Sequence, residues 1–267
     1  MSRLRLVKVT TPSNAPTGDG ELFFSDSLVP AAPAFIDESG NIVRIGGLTT
    51  KDYRLLSVQV ITAASGTYTP TSGVTAIYVE AIGGGGQGGG GPAGTGSSCG
   101  GGGGSGAYAA VWKAGLAASY AYVNGAGGST TVAGNSTGQD GADTTFGAIL
   151  TAKAGKGGLG HAISTTILTG GLGGAGGLAS ACVGDFKIDG VPGSTGVILS
   201  TAAGAISGEG AVGLFGGGGG IARIAQGDGA NGVAYGSGGS GGCTFNSAGA
   251  TKGGTGGPGA LRVWEFA

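Results

Sequence analysis

All-β is the fold class the sequence predicts, and three observations predict it. The non-glycine residues fall into short alternating runs, of which Ala76-Ile77-Tyr78-Val79-Glu80-Ala81-Ile82 is the clearest. No segment keeps a helical period. Finally, 68 of the 267 residues are glycine, most of them after Ile82, in runs at 83–86, 88–91, 100–104 and 216–220. Glycine loses more backbone freedom on folding than any other residue, about 0.5–1 kcal/mol relative to alanine. A folded chain this rich in glycine needs a packing that only glycine can enter.

Composition opposes the alternative of a disordered tail. Disordered segments are poor in apolar residues and rich in charge, whereas this chain is 40% hydrophobic and 10% charged. Collagen is excluded by eight prolines and the lack of a strict glycine triplet. The net charge of −1, from 13 basic and 14 acidic residues, gives no footprint for nucleic acid or an anionic membrane. The opening Met-Ser-Arg-Leu-Arg-Leu-Val-Lys-Val alternates charged and apolar residues, which predicts no secretory signal. No run approaches the length of a membrane-spanning helix.

The first fifty or so residues form short strands at 21–24 and 34–37, with a turn at 39–41 leading into 42–45 as a hairpin. Pro12, Pro16, Pro30 and Pro33 keep this region extended. Its apolar surface is too small for a core of its own, so it reads as an arm that docks on a partner. Strands follow at 55–61, 66–70 and 74–82, and in the last of these Ile77, Val79 and Ala81 share one face. Further strands are expected at 107–113, 119–124, 144–152 and 260–266.

Between the strands lie the glycine runs and more complex inserts at 163–169, 180–192, 198–209, 221–231 and 243–251. Structureless glycine would leave many backbone donors and acceptors to be satisfied. The extended three-per-turn helix of the polyproline II type resolves this, because its peptide groups point outward to neighbouring helices. The glycine runs are therefore expected to pack as such helices, with the inserts as loops at their ends.

Motifs for chemistry are weak. Residues 171–176 match G-x-G-x-x-G without the βαβ context of a dinucleotide site, and Ala154-Gly155-Lys156-Gly157 lacks the spacing of a phosphate loop. Cys99, Cys182 and Cys243 are odd in number and distant in sequence, and with His161 they lack zinc-site spacing. They read as free thiols in apolar niches, and neither a metal nor a cofactor is expected. Asp140 and Asp143 read as turn residues ahead of cation ligands. No catalytic residue is assigned, although Asp185, Asp189, Glu209 and Asp228 leave a carboxylate pair for glycan hydrolysis as an alternative.

The inserts suit recognition better. They and the stretches beside them carry Phe186, Lys187, Asp189, Phe215, Arg223, Tyr235, Phe245 and Asn246 on an otherwise small-residue body. Aromatics and arginine dominate binding hot spots, and loops on a rigid scaffold are where recognition usually sits. These eight are the candidate receptor-binding residues. The competing reading for Phe215 and Phe245 is that they plug small cores between loops.

Several stretches occur in a telling order: Thr67-Tyr68-Thr69-Pro70-Thr71-Ser72-Gly73-Val74, Ala76 to Ile82, Gly106-Ala107-Tyr108, Gly125-Ala126-Gly127-Gly128, Thr144-Thr145-Phe146-Gly147 and Gly257-Pro258-Gly259-Ala260-Leu261-Arg262-Val263-Trp264-Glu265. Over about residues 55–267 this succession resembles the glycine-rich domain of tailed-bacteriophage tail-fibre and receptor-binding proteins. Gly20-Glu21-Leu22-Phe23-Phe24 and Phe35-Ile36-Asp37-Glu38-Ser39-Gly40-Asn41 are similar to the virion-attachment segments of phage fibres. The resemblance implies a virion-bound adhesin, made in the bacterial cytoplasm and commonly oligomeric, that contacts a host-surface glycan or outer-membrane protein. The expected organisation is a docking arm at 1–54 and an adhesin domain at 55–267. That domain would hold a jelly-roll-like β-sandwich core with a glycine-helix platform. A homotrimer is the favoured assembly. A head or tail decoration protein and a glycan depolymerase are the competing functions.

Overall fold

The structure, a computed structural model, describes residues 54–166, 168–200, 204–247 and 249–267, together with four short strands nearer the N-terminus. The chain divides into two compact units, Met1–Asp52 and Tyr53–Ala267. In the first, β1 (Val7–Lys8), β2 (Glu21–Phe24), β3 (Pro33–Ile36) and β4 (Ile42–Arg44) make one sheet in that order. The β1–β2 pair is parallel and the other two are antiparallel, with Ile36 opposite Ile42. The turn expected at 39–41 lies outside the described residues.

The second unit is also β throughout. Its strands are β5 (Leu55–Ile61), β6 (Ser65–Tyr68), β7 (Ala76–Ile82), β8 (Gly94–Cys99), β9 (Tyr108–Ala114), β10 (Tyr120–Val123) and β11 (Thr144–Phe146). They continue with β12 (Leu150–Ala152), β13 (Leu168–Thr169), β14 (Phe186–Ile188), β15 (Val197–Ser200), β16 (Gly204–Ile206), β17 (Cys243–Ser247) and β18 (Ala260–Phe266). Among the described residues the helical structure is one 3-10 turn at Ala179–Ala181.

Strands β14-β9-β7-β18-β5 form a five-stranded antiparallel sheet, and β12-β11-β10-β6 form a four-stranded one. β11 and β12 pack on β7 and β9. The period of two turns Ile77, Val79 and Ala81 of β7 inward, as expected, beside Ala109 and Val111 of β9 and Leu261 and Val263 of β18. The smaller sheet answers with Tyr68, Tyr120, Phe146 and Leu150. Phe146 stacks on Tyr120 with centroids 5.0 Å apart and meets Tyr68 at 5.4 Å. Burying a side chain of this size stabilises by about 1.5–3 kcal/mol, so this core carries the unit's main apolar term.

Two expectations need correction. Residues 144–152 are not one strand but the hairpin β11–β12, with Phe146 opposite Leu150. Gly147 turns the chain there at φ +52, a conformation that disfavours other residues. The inserts are not plain loops, since β13, β14, β15, β16 and β17 lie within or overlap them. Strand β8, built from Gly-Thr-Gly-Ser-Ser-Cys, has little strand propensity and forms because β17 pairs with it.

The glycine runs follow a three-residue rule. Along 83–91, residues 83, 86 and 89 donate their N–H groups to the carbonyls of Ala107, Gly104 and Gly101. Residues 84, 87 and 90 donate to Ala142, Gln139 and Ser136, and residues 85, 88 and 91 to Gly257, Gly254 and Thr251. One run is thus bonded to three antiparallel neighbours, with its partners advancing three residues per step. The run 100–107 repeats the pattern: 100, 103 and 106 bond to 242, 239 and 236, and 101, 104 and 107 to 159, 156 and 153. Gln87, the one large residue in its run, is fully buried. Its amide donates to Thr130 O and Gly253 O and accepts from Gln139 N, so no polar atom is stranded.

Candidate functional site

The outward face of the five-stranded sheet gathers Trp112, Trp264 and several other large side chains. Strand alternation that turns Ile77 and Val79 inward must turn Tyr78 and Glu80 outward. Register then sets two rows across the sheet. One runs Trp112, Tyr78, Trp264, Val58, and the other Phe186, Ala110, Glu80, Arg262, Val60. Phe186 and Val60, at the two ends of the second row, are 56% and 64% exposed.

Glu80 organises the centre. Arg262 reaches it through Nε at 2.6 Å and Nη2 at 2.9 Å, a bidentate pair. Trp264 Nε1 donates to the same carboxylate at 2.7 Å and Tyr108 Oη at 2.8 Å. Burial pushes the Glu80 carboxyl up, but the bonds from Arg262, Trp264 and Tyr108 outweigh it and hold it below the usual range. Burial, together with the bonds to Tyr78 and Glu80, pushes the Tyr108 phenol up, so it stays a neutral donor. The Arg262 guanidinium lies 5.4 Å from the Phe215 ring centre and 5.2 Å from that of Trp264. Tyr108 meets Phe186 and Phe215 edge-on at 6.0 and 5.9 Å. A shallow groove of about 360 Å³ opens beside this cluster, lined by Val60, Leu214, Phe215, Tyr235, Ala260 and Arg262.

Of the eight residues singled out in the sequence, Phe186, Phe215 and Tyr235 meet at this face. The others lie elsewhere. Lys187 points to the opposite side of β14 from Phe186, with its ammonium 3.5 Å from Cys182 O. Asp189 accepts the Ala179 N–H, and Arg223 donates through Nε to Asp228 O. Phe245 packs on Cys99, Ile198, Ala205 and Cys243. Asn246 sits at φ +39 at a bulge in β17, its side chain accepting the Gly96 N–H. Tyr78, Glu80, Tyr108, Trp112, Arg262 and Trp264 join Phe186, Phe215 and Tyr235 from the strands β7, β9 and β18 and not from the inserts. The alternation that placed Tyr78 and Glu80 opposite Ile77 held the signal for two of them.

A second groove, of about 490 Å³, runs beside the glycine run 153–158. Asp143 pairs with Lys153 and accepts the Ala154 N–H, and three residues earlier Asp140 pairs with Lys156 and accepts the Gly157 N–H. Burial raises the Asp140 carboxyl, yet the bonds from Lys156 and Gly157 leave it below its ordinary value. These aspartates are neither simple turn residues nor free cation ligands. They satisfy peptide groups at the edge of the glycine body.

What the sheet face offers is flat aromatic area, a fixed guanidinium and a saturated carboxylate. That chemistry suits stacking and hydrogen bonding to a bound surface. A family model described as a glycine-rich domain matches residues 61–263. A search of curated proteins finds no match to the chain.

Proposed function

The chain belongs to the glycine-rich domain family, and from that premise we propose that it is a tailed-bacteriophage tail-fibre or tail-tip adhesin. In this reading residues 1–54 attach it to another tail or fibre protein of the virion, and residues 55–267 bind a host-surface glycan or outer-membrane protein. It acts by binding and not by catalysis, and it assembles as a homotrimer. The observation that carries the reading is the aromatic and arginine face, held on a body whose peptide groups are bonded at every third residue to a neighbour. Packed polyglycine II-type helices account for that period, and the two facing sheets form the sandwich beside them.

Rigid presentation of Phe186, Phe215 and Tyr235 keeps the entropy cost of binding low. Adsorption of the fluorescently labelled chain to a panel of bacterial strains tests the proposal. Wild type is expected to bind a subset of strains. The triple variant Phe186→Ala, Phe215→Ala, Tyr235→Ala is expected to bind at least about tenfold more weakly, each anchor contributing on the hot-spot scale. Binding to no strain, or equal binding by a triple variant with unchanged thermal unfolding, overturns it. Native mass measurement checks the trimer, which a stable monomer would exclude.

A further inference from the structure

We infer that Cys99 and Cys243 are a preformed disulfide site, which a two-electron oxidation closes in the native strand register. The register is the first support. The two residues sit directly opposite each other on the antiparallel strands β8 and β17. The Cys243 N–H and C=O are both engaged by Gly227, and the Cys99 carbonyl accepts from Gly171 N at 2.8 Å. The peptide groups of the pair thus face away from each other, which makes it a non-hydrogen-bonded pair. In such pairs the Cα atoms are about 4.5 Å apart and the side chains approach most closely. Disulfides bridge Cα separations of about 4.4–6.8 Å.

The sulfurs themselves supply the second support, since each lies near enough to shift the other's ionisation: the neighbouring Cys243 thiol holds Cys99 below its ordinary range, while Cys99 and burial push Cys243 up. The Cys243 thiol donates to Arg223 O at 3.5 Å. Space is the third. Both cysteines are fully buried in a small cluster with Ile198 and Ala205. A Cβ at Gly170 or Gly196 would fall 2.4 or 2.9 Å from the Cys99 sulfur, so these glycines leave the room it occupies. The remaining cysteine, Cys182, lies apart in the main core.

Diamide is a suitable small oxidant. The Cys99 thiolate adds to one nitrogen of its N=N bond, and the other nitrogen takes a proton. The Cys243 thiolate then attacks the Cys99 sulfur and displaces the first nitrogen, which takes the second proton. The thiols lose two electrons and the reagent leaves as a hydrazine, so the step balances. Access comes through local opening of the β8–β17 pair. The new bond would staple the run that begins at Gly100 to the run that ends at Gly242, whose backbones already meet at 2.9 Å.

The test treats the purified full chain with diamide in mild denaturant, then unfolds it, alkylates the remaining thiols and maps the peptides. One alkylated thiol, on Cys182, and a cross-linked peptide joining Cys99 to Cys243 within a monomer are expected. The denaturant midpoint should rise, and a reductant should reverse the rise. A Cys182→Ser variant should then leave no thiol to alkylate. Three alkylated thiols, a bridge to Cys182 or a bridge between chains overturns the inference.

Discussion

Gly102→Ala is expected to prevent the 53–267 unit from folding, while Gly115→Ala leaves it folded. A Cβ at residue 102 would lie 1.8 Å from the carbonyl oxygen of Glu209 and 2.3 Å from its carbon. Those are backbone atoms, so no side chain can swing aside. Nor can the run shift, because Gly102 donates to Ser194 O at 2.9 Å and accepts from Gly174 N at 2.8 Å. Overpacking against side chains costs about 1–3 kcal/mol, and a backbone clash in a closed hydrogen-bond array belongs above about 4 kcal/mol. Domains hold only about 5–15 kcal/mol in total. Gly115 is the control: it sits at φ +65 with nothing within 4 Å of the added Cβ. Its substitution carries only backbone strain, about 1–2 kcal/mol. Thermal unfolding followed by circular dichroism separates the two. A Gly102→Ala protein melting within a few degrees of wild type would mean that the glycine array does not persist in solution.

Acid is expected to weaken the same unit through Glu265. This carboxylate is fully buried and takes four hydrogen bonds, from Ser57 Oγ at 2.5 Å, Tyr68 Oη at 2.7 Å, Thr71 N at 3.0 Å and Thr71 Oγ1 at 2.8 Å. It ties β18 to β5, to β6 and to the segment that follows β6. Burial alone would raise its pKa, but the four donors outweigh burial and bring it down to about 2. The folded value is therefore below the unfolded one, and between them the unfolded chain binds more protons. The stabilisation is whole above the unfolded value and is lost as pH falls through the folded one, by about 3 kcal/mol. Glu265→Gln should cost about 2–4 kcal/mol at neutral pH, because the Thr71 N–H then meets a weaker, uncharged acceptor or an amide donor. Its stability should also fall less than that of wild type between pH 5 and 2.5. Urea unfolding across that range measures both. Parallel pH curves for wild type and variant would remove Glu265 as the acid-sensitive group. Glu80, also held low, contributes in the same window to both proteins and cancels in the comparison.

The strands were legible where side chains alone decide the face. Ile77, Val79 and Ala81 alternate with Tyr78 and Glu80, and only one set is apolar throughout. β5 and β18 were legible in extent, as apolar runs, but not in face: Val58 and Val60 stay exposed, and Glu265 turns inward and is buried. β8 was not, because glycine and serine carry no face and its pairing comes from β17. The site divides in the same way. Phe186, Phe215 and Tyr235 stand out as large residues in small-residue surroundings. That they converge, and that Lys187, Arg223 and Asn246 do not, depends on where each insert leaves the glycine body. The Arg262–Glu80 bond joins strands far apart in sequence, and only the β7–β18 register brings the two together.

By itself the sequence determined that this chain is β and that its glycine lies inside a fold, since apolar alternation and missing side chains are local properties. Only the tertiary structure decided which backbones the glycines touch, which face of the large sheet gathers the aromatic side chains and which cysteines meet. Those are pairings between distant segments, selected by hydrogen-bond register and close packing, and a residue's identity carries no record of its partner.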